Sequence, residues 1–352
     1  MSATGRPQGW GAGPQLFALD ATREFGGRVA QHLGLEPAPH EEREFEDGEH
    51  KVRPLASVRG RDVYVVQSLH GGPKESPHDK LCRLWFFLAT LRDAGAGRIT
   101  AVVPYLAYGR KDRRTKSRDP VTTRYVAELF ESTGLDRLVA IDVHDLAAFQ
   151  NAFRCRTEHL EAVGLFAAEI EARFRGRPLV VVSPDSGGVK RAEALRERLA
   201  AIAAAEVPLA FLEKKRSGGV ISGEAVVGEV GGRVAVILDD LVSTGTTLAR
   251  AALACRSRGA ERVVAAVTHG LFTGDADRVL RDGSLDTLLV TDTVPPFRLP
   301  PATVRERLTI LDTAPLFAEA IRRLHADGSL TDLLAAWPPQ ANRPAQASAR
   351  SR

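Results

Sequence analysis

The segment 234–247 combines residue types that suit a phosphorylated sugar. An apolar run ends at Asp239 and Asp240, and a polar loop then leads into a helical pattern; the loop is Ser243, Thr244, Gly245, Thr246 and Thr247. Amides and hydroxyls at the start of a helix can surround a phosphate, because unpaired N–H groups and the positive end of the helix dipole converge there. The carboxylates would instead accept hydrogen bonds from sugar hydroxyls, directly or through hydrated Mg²⁺. A capped helix beside surface acids is the alternative interpretation.

A second apolar run, 180–182, is followed by a loop that repeats the arrangement of an acid before a flexible turn. Asp185 can hold a cation, while Gly187 and Gly188 free the backbone to approach an anion. Two glycines after a strand also form ordinary turns, but the repetition favours a pyrophosphate and metal loop. The sequence contains no Gly-x-x-x-x-Gly-Lys-Ser/Thr pattern, which disfavours a nucleotide site of the P-loop type.

A basic cluster, Lys214-Lys215-Arg216, follows the apolar run 208–212 and precedes Ser217-Gly218-Gly219. The glycines predict that a mobile loop starts here. Cations on a mobile loop suit phosphoryl transfer, because the charge on the transferred oxygens must be neutralised while water is excluded. The alternative is a solvated basic turn.

Three segments of the N-terminal half carry further polar and aromatic candidates. They contain Phe45, Asp47 and Glu49; Arg110, Lys111 and Asp112; and His144, which lies between Asp142 and Asp145. Each segment has a second interpretation: a strand before an Asp-Gly turn, a solvated loop or nucleic-acid patch, and a structural histidine, respectively. A neutral imidazole at a strand end can also ligate a metal bound to a nucleotide.

Short runs rich in Val and Ile alternate along the chain with segments of helical period. The predicted strand and helix pairs are 61–67 and 79–94, 99–104 and 121–132, 138–144 and 158–174, 178–183 and 189–201, and 233–240 and 247–258, followed by strands 262–268, 288–291 and 308–311. Uniformly apolar strands belong in parallel sheets covered on both faces, where ligands gather at the carboxyl ends of the strands. We therefore predict an α/β fold with two similar halves, each a mostly parallel sheet flanked by helices.

The composition indicates two folded domains without a membrane segment. The 352 residues are 44% hydrophobic, and 48 basic against 44 acidic residues leave a charge of +4, too small to indicate nucleic acid or membrane as a partner. Three widely spaced cysteines argue against a disulfide framework or a thiolate metal centre. No secretory signal or run of 18 apolar residues occurs. We expect a soluble, cytoplasmic protein with disordered ends at residues 1–14 and 337–352.

Taken in order along residues 15–330, these motifs resemble those of the ribose-phosphate pyrophosphokinase family, also called phosphoribosyl pyrophosphate synthetases. Further segments resemble the family in the same order; they are 57–63, 66–68, 268–272, 290–295 and 314–323. The resemblance implies two tandem phosphoribosyltransferase-like domains, 15–154 on the ATP side and 155–313 on the ribose 5-phosphate side, with a C-terminal helix at about 314–335 joining the first. It also implies transfer of the β,γ-diphosphoryl group of Mg-ATP to the C1 hydroxyl of ribose 5-phosphate, with release of AMP.

The same resemblance implies a role for each candidate residue. The loop 243–247 would hold the 5-phosphate, while Asp239 and Asp240 would meet the ribose hydroxyls and associated Mg²⁺. Lys214 and Arg216 would be catalytic. The diphosphate loop would comprise Asp185, Gly187 and Gly188, and the ATP-binding residues would be Phe45, Asp47, Glu49, Arg110, Lys111, Asp112 and His144. His144 and Asp185 would also be metal ligands.

In the family, residues matching the loop 45–49 reach the adenine in a neighbouring subunit, so the resemblance implies a homo-oligomer based on dimers and commonly a hexamer. Three positions depart from the family pattern. Lys111 stands where Gln is usual, Asp145 follows His144 where a small residue is usual, and Ser243 replaces an Asp. The last change suits a phosphate, because a hydroxyl donates where a carboxylate repels. The departures leave the nucleotide donor and control by phosphate or ADP open.

Two other functions stay open at this point. A phosphoribosyltransferase that consumes phosphoribosyl pyrophosphate would share the segment 239–247, but it needs only one such α/β unit. A catalytically silent, synthetase-associated subunit would share the fold, although the retained Lys214, Arg216 and Asp185 argue for activity. Nucleic-acid binding by residues 110–114 is disfavoured, because that basic cluster is short and the net charge is modest.

Overall fold

The computed structural model describes residues 13–217 and 220–338, apart from the side chains of residues 214–224. The chain divides into two compact units. The first comprises the residues up to Leu160 together with Asp312–Leu333, and the second comprises Glu161–Leu311 together with the residues from Leu334 onward.

The first unit is built on a parallel sheet. Its elements up to Leu160 are β1 (Gln15–Ala18), α1 (Arg23–Leu33), β2 (His40–Glu44), β3 (His50–Pro54), β4 (Asp62–Val66), α2 (Pro77–Asp93), β5 (Arg98–Val103), α3 (Thr122–Ser132), β6 (Arg137–Ile141), α4 (Leu146–Ala152) and β7 (Arg156–Leu160). The sheet has the order β1-β4-β5-β6-β7 with every pair parallel. Strands β2 and β3 form a separate antiparallel hairpin.

The second unit is built on a seven-stranded sheet. Its elements are α5 (Val163–Phe174), β8 (Leu179–Ser183), α6 (Val189–Ala203), β9 (Leu209–Ser217), β10 (Val220–Val227), β11 (Val234–Val242), α7 (Thr246–Ser257), β12 (Arg262–Gly270), α8 (Ala276–Arg281), β13 (Thr287–Thr291), α9 (Pro301–Arg307) and β14 (Leu308–Leu311). The order is β10-β9-β8-β11-β12-β13-β14, and only the pair β9–β10 is antiparallel. Helices α10 (Ala314–His325) and α11 (Leu330–Ala336) follow.

The predicted α/β class is confirmed, and the strands show why. Every residue of β4, β5, β6 and β8 is buried, as parallel strands covered by helices on both faces require. Helix α2 begins with Ser76 and Asp79 in a reciprocal capping box and with Pro77 at its first position, a combination that satisfies free N–H groups and fixes φ. Within the described residues, no helix combines the length and apolarity needed to cross a bilayer.

Three local predictions are wrong. The predicted helix 158–174 is instead strand β7 followed by α5, because Arg156–Leu160 pairs with β6 and so extends the first unit beyond the expected boundary at 154. The loop predicted from Lys214 is strand to Ser217, because β9 continues in an antiparallel pair with β10. Trp337, expected in a disordered tail, is 7% exposed and its carbonyl accepts a hydrogen bond from Arg198. The other residues of the predicted tail and of segment 1–14 lie largely outside the described residues.

A buried ionic network ties α10 to the first sheet. Asp62, at the start of β4, has no exposed side-chain surface and accepts hydrogen bonds from Arg98 Nε at 2.7 Å and Nη2 at 2.5 Å. His325 Nδ1 lies 2.7 Å from the second oxygen of Asp62, and Arg98 also donates to the carbonyl of Leu324. Burial raises the pKa of Tyr64, whose hydroxyl donates to Asp62. The carboxylate of Asp62 is therefore the centre that joins strand and helix.

We expect Asp62→Asn to lower the free energy of unfolding by about 3–5 kcal/mol, because it leaves the guanidinium of Arg98 buried without its counter-charge. Asp327→Asn is the matched control. Asp327 lies 3.6 Å from Arg98 Nη1 but is 84% exposed, so its loss should cost less than about 1 kcal/mol. Urea denaturation measures both values. Equal losses in the two variants would contradict a central role for Asp62.

Candidate active site

The paired acids lie at the carboxyl end of β11 in the middle of the second sheet. Asp240 is 3% exposed, and the side chain of Asp239 is 22% exposed. The N–H of Asp240 donates to Asp239 Oδ1 at 2.9 Å. The strand continues past both acids to Val242. It pairs with β12 as far as Val242, whereas its pairing with β8 ends at Ile237, before the acids. Two carboxylates are thus fixed side by side with little solvent to screen them.

Arg191 is the cation that faces both acids. Its Nη1 lies 3.3 Å from Asp240 Oδ1 and 3.8 Å from Asp239 Oδ1. Sequence reasoning assigned Arg191 no role. A weak signal was present, because an arginine in the first turn of α6 opposes the helix dipole and needs a partner elsewhere in the fold.

Burial is the main cause that raises the pKa of Asp239 well above its usual range, and the negative charge of Asp240 adds to it. The attraction of Arg191 acts in the opposite direction but is smaller. In the free protein the pair therefore favours holding a proton. A bound cation, or hydroxyl groups that donate to the carboxylates, would relieve the same repulsion.

The loop after β11 presents the start of α7. Gly245 has φ +79°, and the first helical hydrogen bond runs from the N–H of Ala249 to its carbonyl. The N–H groups of Thr246, Thr247 and Leu248 precede that bond and have no partner inside the helix. A Cβ added at position 245 would lie 3.1 Å from Val279 Cγ1 and would need a strained backbone. These features suit an anion at the helix start.

Thr273 holds the first residue of this loop in place. Its N–H donates to the carbonyl of Ser243 at 2.9 Å, and the two hydroxyls lie 2.7 Å apart. The hydroxyls of Thr244 and Thr246, both exposed residues, lie 3.1 Å apart. Sequence reasoning missed Thr273, because it follows a different strand, β12, and only the folded sheet brings it here.

The loop after β8 lies at the same edge, because β8 pairs in parallel with β11, with Val182 opposite Ile237. Asp185 Oδ1 accepts the N–H groups of Gly187 at 2.9 Å and Gly188 at 3.0 Å. A Cβ at Gly188 would lie 2.8 Å from Ser183 Oγ, so a larger residue there would displace the Ser183 hydroxyl. The two amides that the sequence assigned to an anion thus bind Asp185 in this structure, and an anion would have to replace that carboxylate oxygen.

The basic residues Lys214 and Arg216 belong to β9, which pairs in parallel with β8 through Leu209 opposite Val181. Their backbone pairs with β10, Lys214 opposite Glu224 and Arg216 opposite Ile221. Their side chains lie outside the described residues, so the structure does not test their predicted catalytic role.

In the first unit, the segment 45–49 forms the turn between β2 and β3. The N–H of Phe45 donates to the carbonyl of Glu49, and the N–H of Glu49 donates to Asp47 Oδ1 at 3.1 Å. Phe45 is 37% exposed, and the guanidinium of Arg43 lies 5.0 Å from the centre of its ring. The turn therefore offers an aromatic ring and two exposed carboxylates.

The segment with Arg110, Lys111 and Asp112 lies between β5 and α3. Lys111 Nζ donates to Asp119 Oδ2 at 2.6 Å, and Thr115 donates to the same oxygen. These hydrogen bonds, that of Lys111 first, hold the pKa of Asp119 below its usual value. Arg110 is exposed, whereas Asp112 is partly buried.

His144 is exposed and follows β6 at its carboxyl end. The next residue, Asp145, is the N-cap of α4, since its Oδ1 accepts the N–H of Ala148 at 2.8 Å. The N–H of Val143 donates to His159 Nε2 at 3.2 Å. Asp142 has a positive φ of 42° and is 6% exposed. The backbone is thus fixed before His144 by the hydrogen bond of Val143 and after it by the cap of α4.

Comparisons with known proteins agree with this geometry. Residues 14–134 match the family described as the N-terminal domain of ribose phosphate pyrophosphokinase, and residues 222–335 match one described as the phosphoribosyl synthetase-associated domain. A ribose-phosphate pyrophosphokinase of Gloeobacter violaceus is 37% identical over 321 residues, which cover 91% of this chain and 92% of that protein. The chain belongs to the ribose-phosphate pyrophosphokinase family.

Other members of the family are similar over comparable lengths. A ribose-phosphate pyrophosphokinase of Caldanaerobacter subterraneus is 35% identical, with 91% of this chain and 97% of that protein covered. The crystal structure of phosphoribosylpyrophosphate synthetase from Mycobacterium smegmatis superposes with a TM-score of 0.80 at 34% identity, covering 90% of this chain and all of that one. The resemblance inferred from the motifs, and the two phosphoribosyltransferase-like sheets, are therefore confirmed.

The structure gives each departure from the family pattern a local partner. Lys111 pairs with Asp119 within its own loop, Asp145 caps α4, and Ser243 contacts Thr273. Each of these contacts fixes the backbone near a candidate ligand-binding residue. The three departures are thus accommodated by contacts within this chain.

We expect Asp239→Asn to stabilise the free protein increasingly as the pH rises. A carboxyl group whose pKa is raised by folding contributes stability below its unfolded value and loses it as the pH passes through the folded value. The variant should gain over the parent between about pH 4 and about pH 8, by at most about 1.4 kcal/mol per pH unit. Asp275→Asn, at a side chain 74% exposed, is the control.

Denaturation curves for the two variants and the parent, recorded with EDTA across this pH range, measure the difference. A constant difference between Asp239→Asn and the parent at every pH would show that the acid pair ionises normally.

Proposed function

We propose that this protein is a ribose-phosphate diphosphokinase that transfers the β,γ-diphosphoryl group of Mg-ATP to the C1 hydroxyl of ribose 5-phosphate, for nucleotide biosynthesis. The observation that carries the proposal lies at the carboxyl end of β11, where Asp239 and Asp240 are separated by only two residues from the loop 243–247 at the start of α7. Membership of the ribose-phosphate pyrophosphokinase family over 91% of the chain supports it.

Ribose 5-phosphate fits this end of β11 in one orientation. Its dianionic phosphate is favoured at the start of α7, where free N–H groups and the hydroxyls of Ser243, Thr244, Thr246 and Thr247 can donate. Its ring hydroxyls can donate to Asp239 and Asp240, which repel the phosphate. The positive φ of Gly245 keeps the loop backbone open to the phosphate oxygens.

Transfer needs positive charge where the diphosphoryl group moves. The C1 hydroxyl oxygen attacks the β-phosphorus, the bond from that phosphorus to the bridging oxygen of AMP breaks, and AMP leaves. We assign the loop of Asp185, Gly187 and Gly188 to the transferred group, because it lies beside the acids across β8 and β11. Lys214 and Arg216 would neutralise the charge that spreads over the phosphoryl oxygens.

ATP would be bound by the candidates of the first unit. Phe45 offers a ring for the adenine, and Arg110 offers an exposed cation for the phosphates. The other proposed ligands are Asp47, Glu49, Lys111, Asp112 and His144. The turn 45–49 is exposed throughout. In the family resemblance this turn serves a neighbouring subunit, so we propose a homo-oligomer built from dimers, up to a hexamer, which mass measurement in solution can test.

Mg²⁺ is the metal that we propose. The residues fit it, because buried carboxylates that repel one another, as the raised pKa of Asp239 indicates, are hard oxygen donors for such a cation. Asp185 has one oxygen engaged by two amides and a second oxygen for a ligand, and His144 is the proposed ligand near ATP. When bound, Mg²⁺ would neutralise phosphate charge during transfer.

A cytoplasmic location completes the proposal. Cys82, Cys155 and Cys255 are all free thiols, as expected in a reducing compartment. Burial is the main cause that raises the pKa of Cys255 to about 11, and the same holds for Cys155. Two of the three thiols are therefore unreactive near neutral pH.

Product analysis tests the reaction class and the donor together. We expect ribose 5-phosphate and Mg-ATP to yield AMP and phosphoribosyl pyrophosphate in equal amounts, and a panel of nucleoside triphosphates to rank the donors. Formation of ADP instead of AMP would indicate a simple phosphotransferase. The absence of both nucleotides from a folded preparation that still binds ATP would favour the regulatory subunit over the enzyme.

We expect Lys214→Ala to lower kcat, because the variant loses about 2–4 kcal/mol of transition-state stabilisation. Its effect on the KM for ATP should be much smaller. Lys215→Ala removes the same charge from the neighbouring residue of β9 and should keep kcat within about threefold of the parent. Steady-state kinetics with both substrates varied separates kcat from KM. An unchanged kcat in Lys214→Ala would remove this lysine from the mechanism.

A further inference from the structure

Three side chains outside the proposed active site converge in the first unit. Asp20 begins the short 3-10 turn after β1, and His40 and Glu42 lie on β2. His40 Nε2 lies 3.0 Å from Glu42 Oε1 and 3.9 Å from Asp20 Oδ1. One imidazole nitrogen and two carboxylate oxygens thus lie within 4.8 Å of one another.

A fourth side chain, that of His50, lies next to these three residues and indicates that they bind a ligand. The His50 side chain on β3 is 7% exposed, and within the part of the chain that the structure describes neither of its ring nitrogens makes a hydrogen bond. Its Nε2 lies 3.4 Å from Glu42 Oε2. A buried imidazole that makes no hydrogen bond and touches a carboxylate only at this longer distance is unfavourable in a folded protein.

The backbone presents these side chains together. Strands β2 and β3 pair with Glu44 opposite His50 and Glu42 opposite Val52, so His40, Glu42 and His50 share one face of the hairpin by the two-residue period of strands. The ring of His40 is held by Phe17 at 6.2 Å and Phe87 at 5.7 Å between centroids. The donors are therefore pre-positioned before any ion binds.

The distances and the donor types identify the class of ion. Zinc bonds of about 2.0–2.1 Å in a tetrahedron place neighbouring ligand atoms about 3.3 Å apart. The separations of His40 Nε2 from Glu42 Oε1, 3.0 Å, and from Asp20 Oδ1, 3.9 Å, lie on either side of that value. Imidazole nitrogens suit Zn²⁺, Co²⁺ and Ni²⁺ better than Mg²⁺, which prefers oxygen ligands. The mixed set is thus unlike the carboxylates proposed for Mg²⁺.

We propose that Asp20, His40 and Glu42 form a site for Zn²⁺ or a similar divalent transition-metal ion, which fastens the β2–β3 hairpin to the segment after β1. His50 lies behind this site, against the second carboxylate oxygen of Glu42. The ion takes the place of the direct contact between His40 and Glu42. The turn of this hairpin carries Phe45, Asp47 and Glu49. By fixing the hairpin, the ion would also fix the position of that turn relative to the first sheet. This last consequence rests on the proposed nucleotide-binding role; the metal site does not.

Metal binding to the full-length, tag-free chain after removal of metals with EDTA is the test. Co²⁺ is the probe, because a tetrahedral site of this kind gives visible absorption bands, and competition by Zn²⁺ gives the affinity. We expect one tetrahedrally coordinated Co²⁺ ion per chain. Asp20→Asn should weaken its binding at least about tenfold, and because the Asp20 side chain is 49% exposed, the variant should fold normally.

Glu24→Gln is the matched control, since it removes another exposed carboxylate from the start of α1, and it should bind Co²⁺ as the parent does. His50→Gln should weaken binding by about tenfold or more. Zn²⁺ should raise the unfolding temperature of the parent and of Glu24→Gln but not of Asp20→Asn. Equal Co²⁺ binding by the parent and Asp20→Asn, or no tetrahedral Co²⁺ spectrum, would overturn the proposal. Neither readout requires diphosphokinase activity, so the site and the proposed function fail separately.

Discussion

The repulsion between two neighbouring carboxylates is the constraint on which the second unit depends. Asp239 and Asp240 are neighbours on β11, which pairs with β12 at this level, and little water reaches them to screen their charges. Such a pair is unfavourable unless a proton, a cation or a donor compensates it. Arg191 compensates in part. The negative charge that Arg191 leaves uncompensated favours the binding of hydroxyl groups and cations at this end of the strand. A phosphorylated pentose and its metal supply these groups.

The sequence predicted the fold well where a strand is uniformly apolar and poorly where it is charged. Strands such as β5 and β8 are buried on both faces, so their composition alone marks them. Residues 156–160 and 213–217 contain charged side chains, and only pairing with β6 and β10 makes them strands. Charge in an edge strand or a short terminal strand carries no periodic signal that separates it from a loop or a helix.

The candidate site was predictable to the extent that it is local in the chain. The acids and the loop 243–247 are contiguous, so their chemistry could be inferred from spacing. The contacts of Arg191 and Thr273 are tertiary and arise from sheet order, and the convergence of Asp20 with His40 likewise depends on how β1 and β2 are placed. For Asp185, the sequence indicated a cation ligand, whereas its contacts with Gly187 and Gly188 show that it also shapes its own loop.

The docking of α10 on the first sheet has a consequence for biosynthesis. The first 160 residues leave the ribosome early, yet the histidine that completes the buried network around Asp62 is His325. The first unit therefore cannot complete its fold until nearly the whole polypeptide has been translated. Until then, Arg98 and Asp62 lack the contact with α10. A premature stop codon between residues 312 and 325 would leave every strand of the later-made sheet intact in sequence, yet it would remove His325 from the unit that was made first.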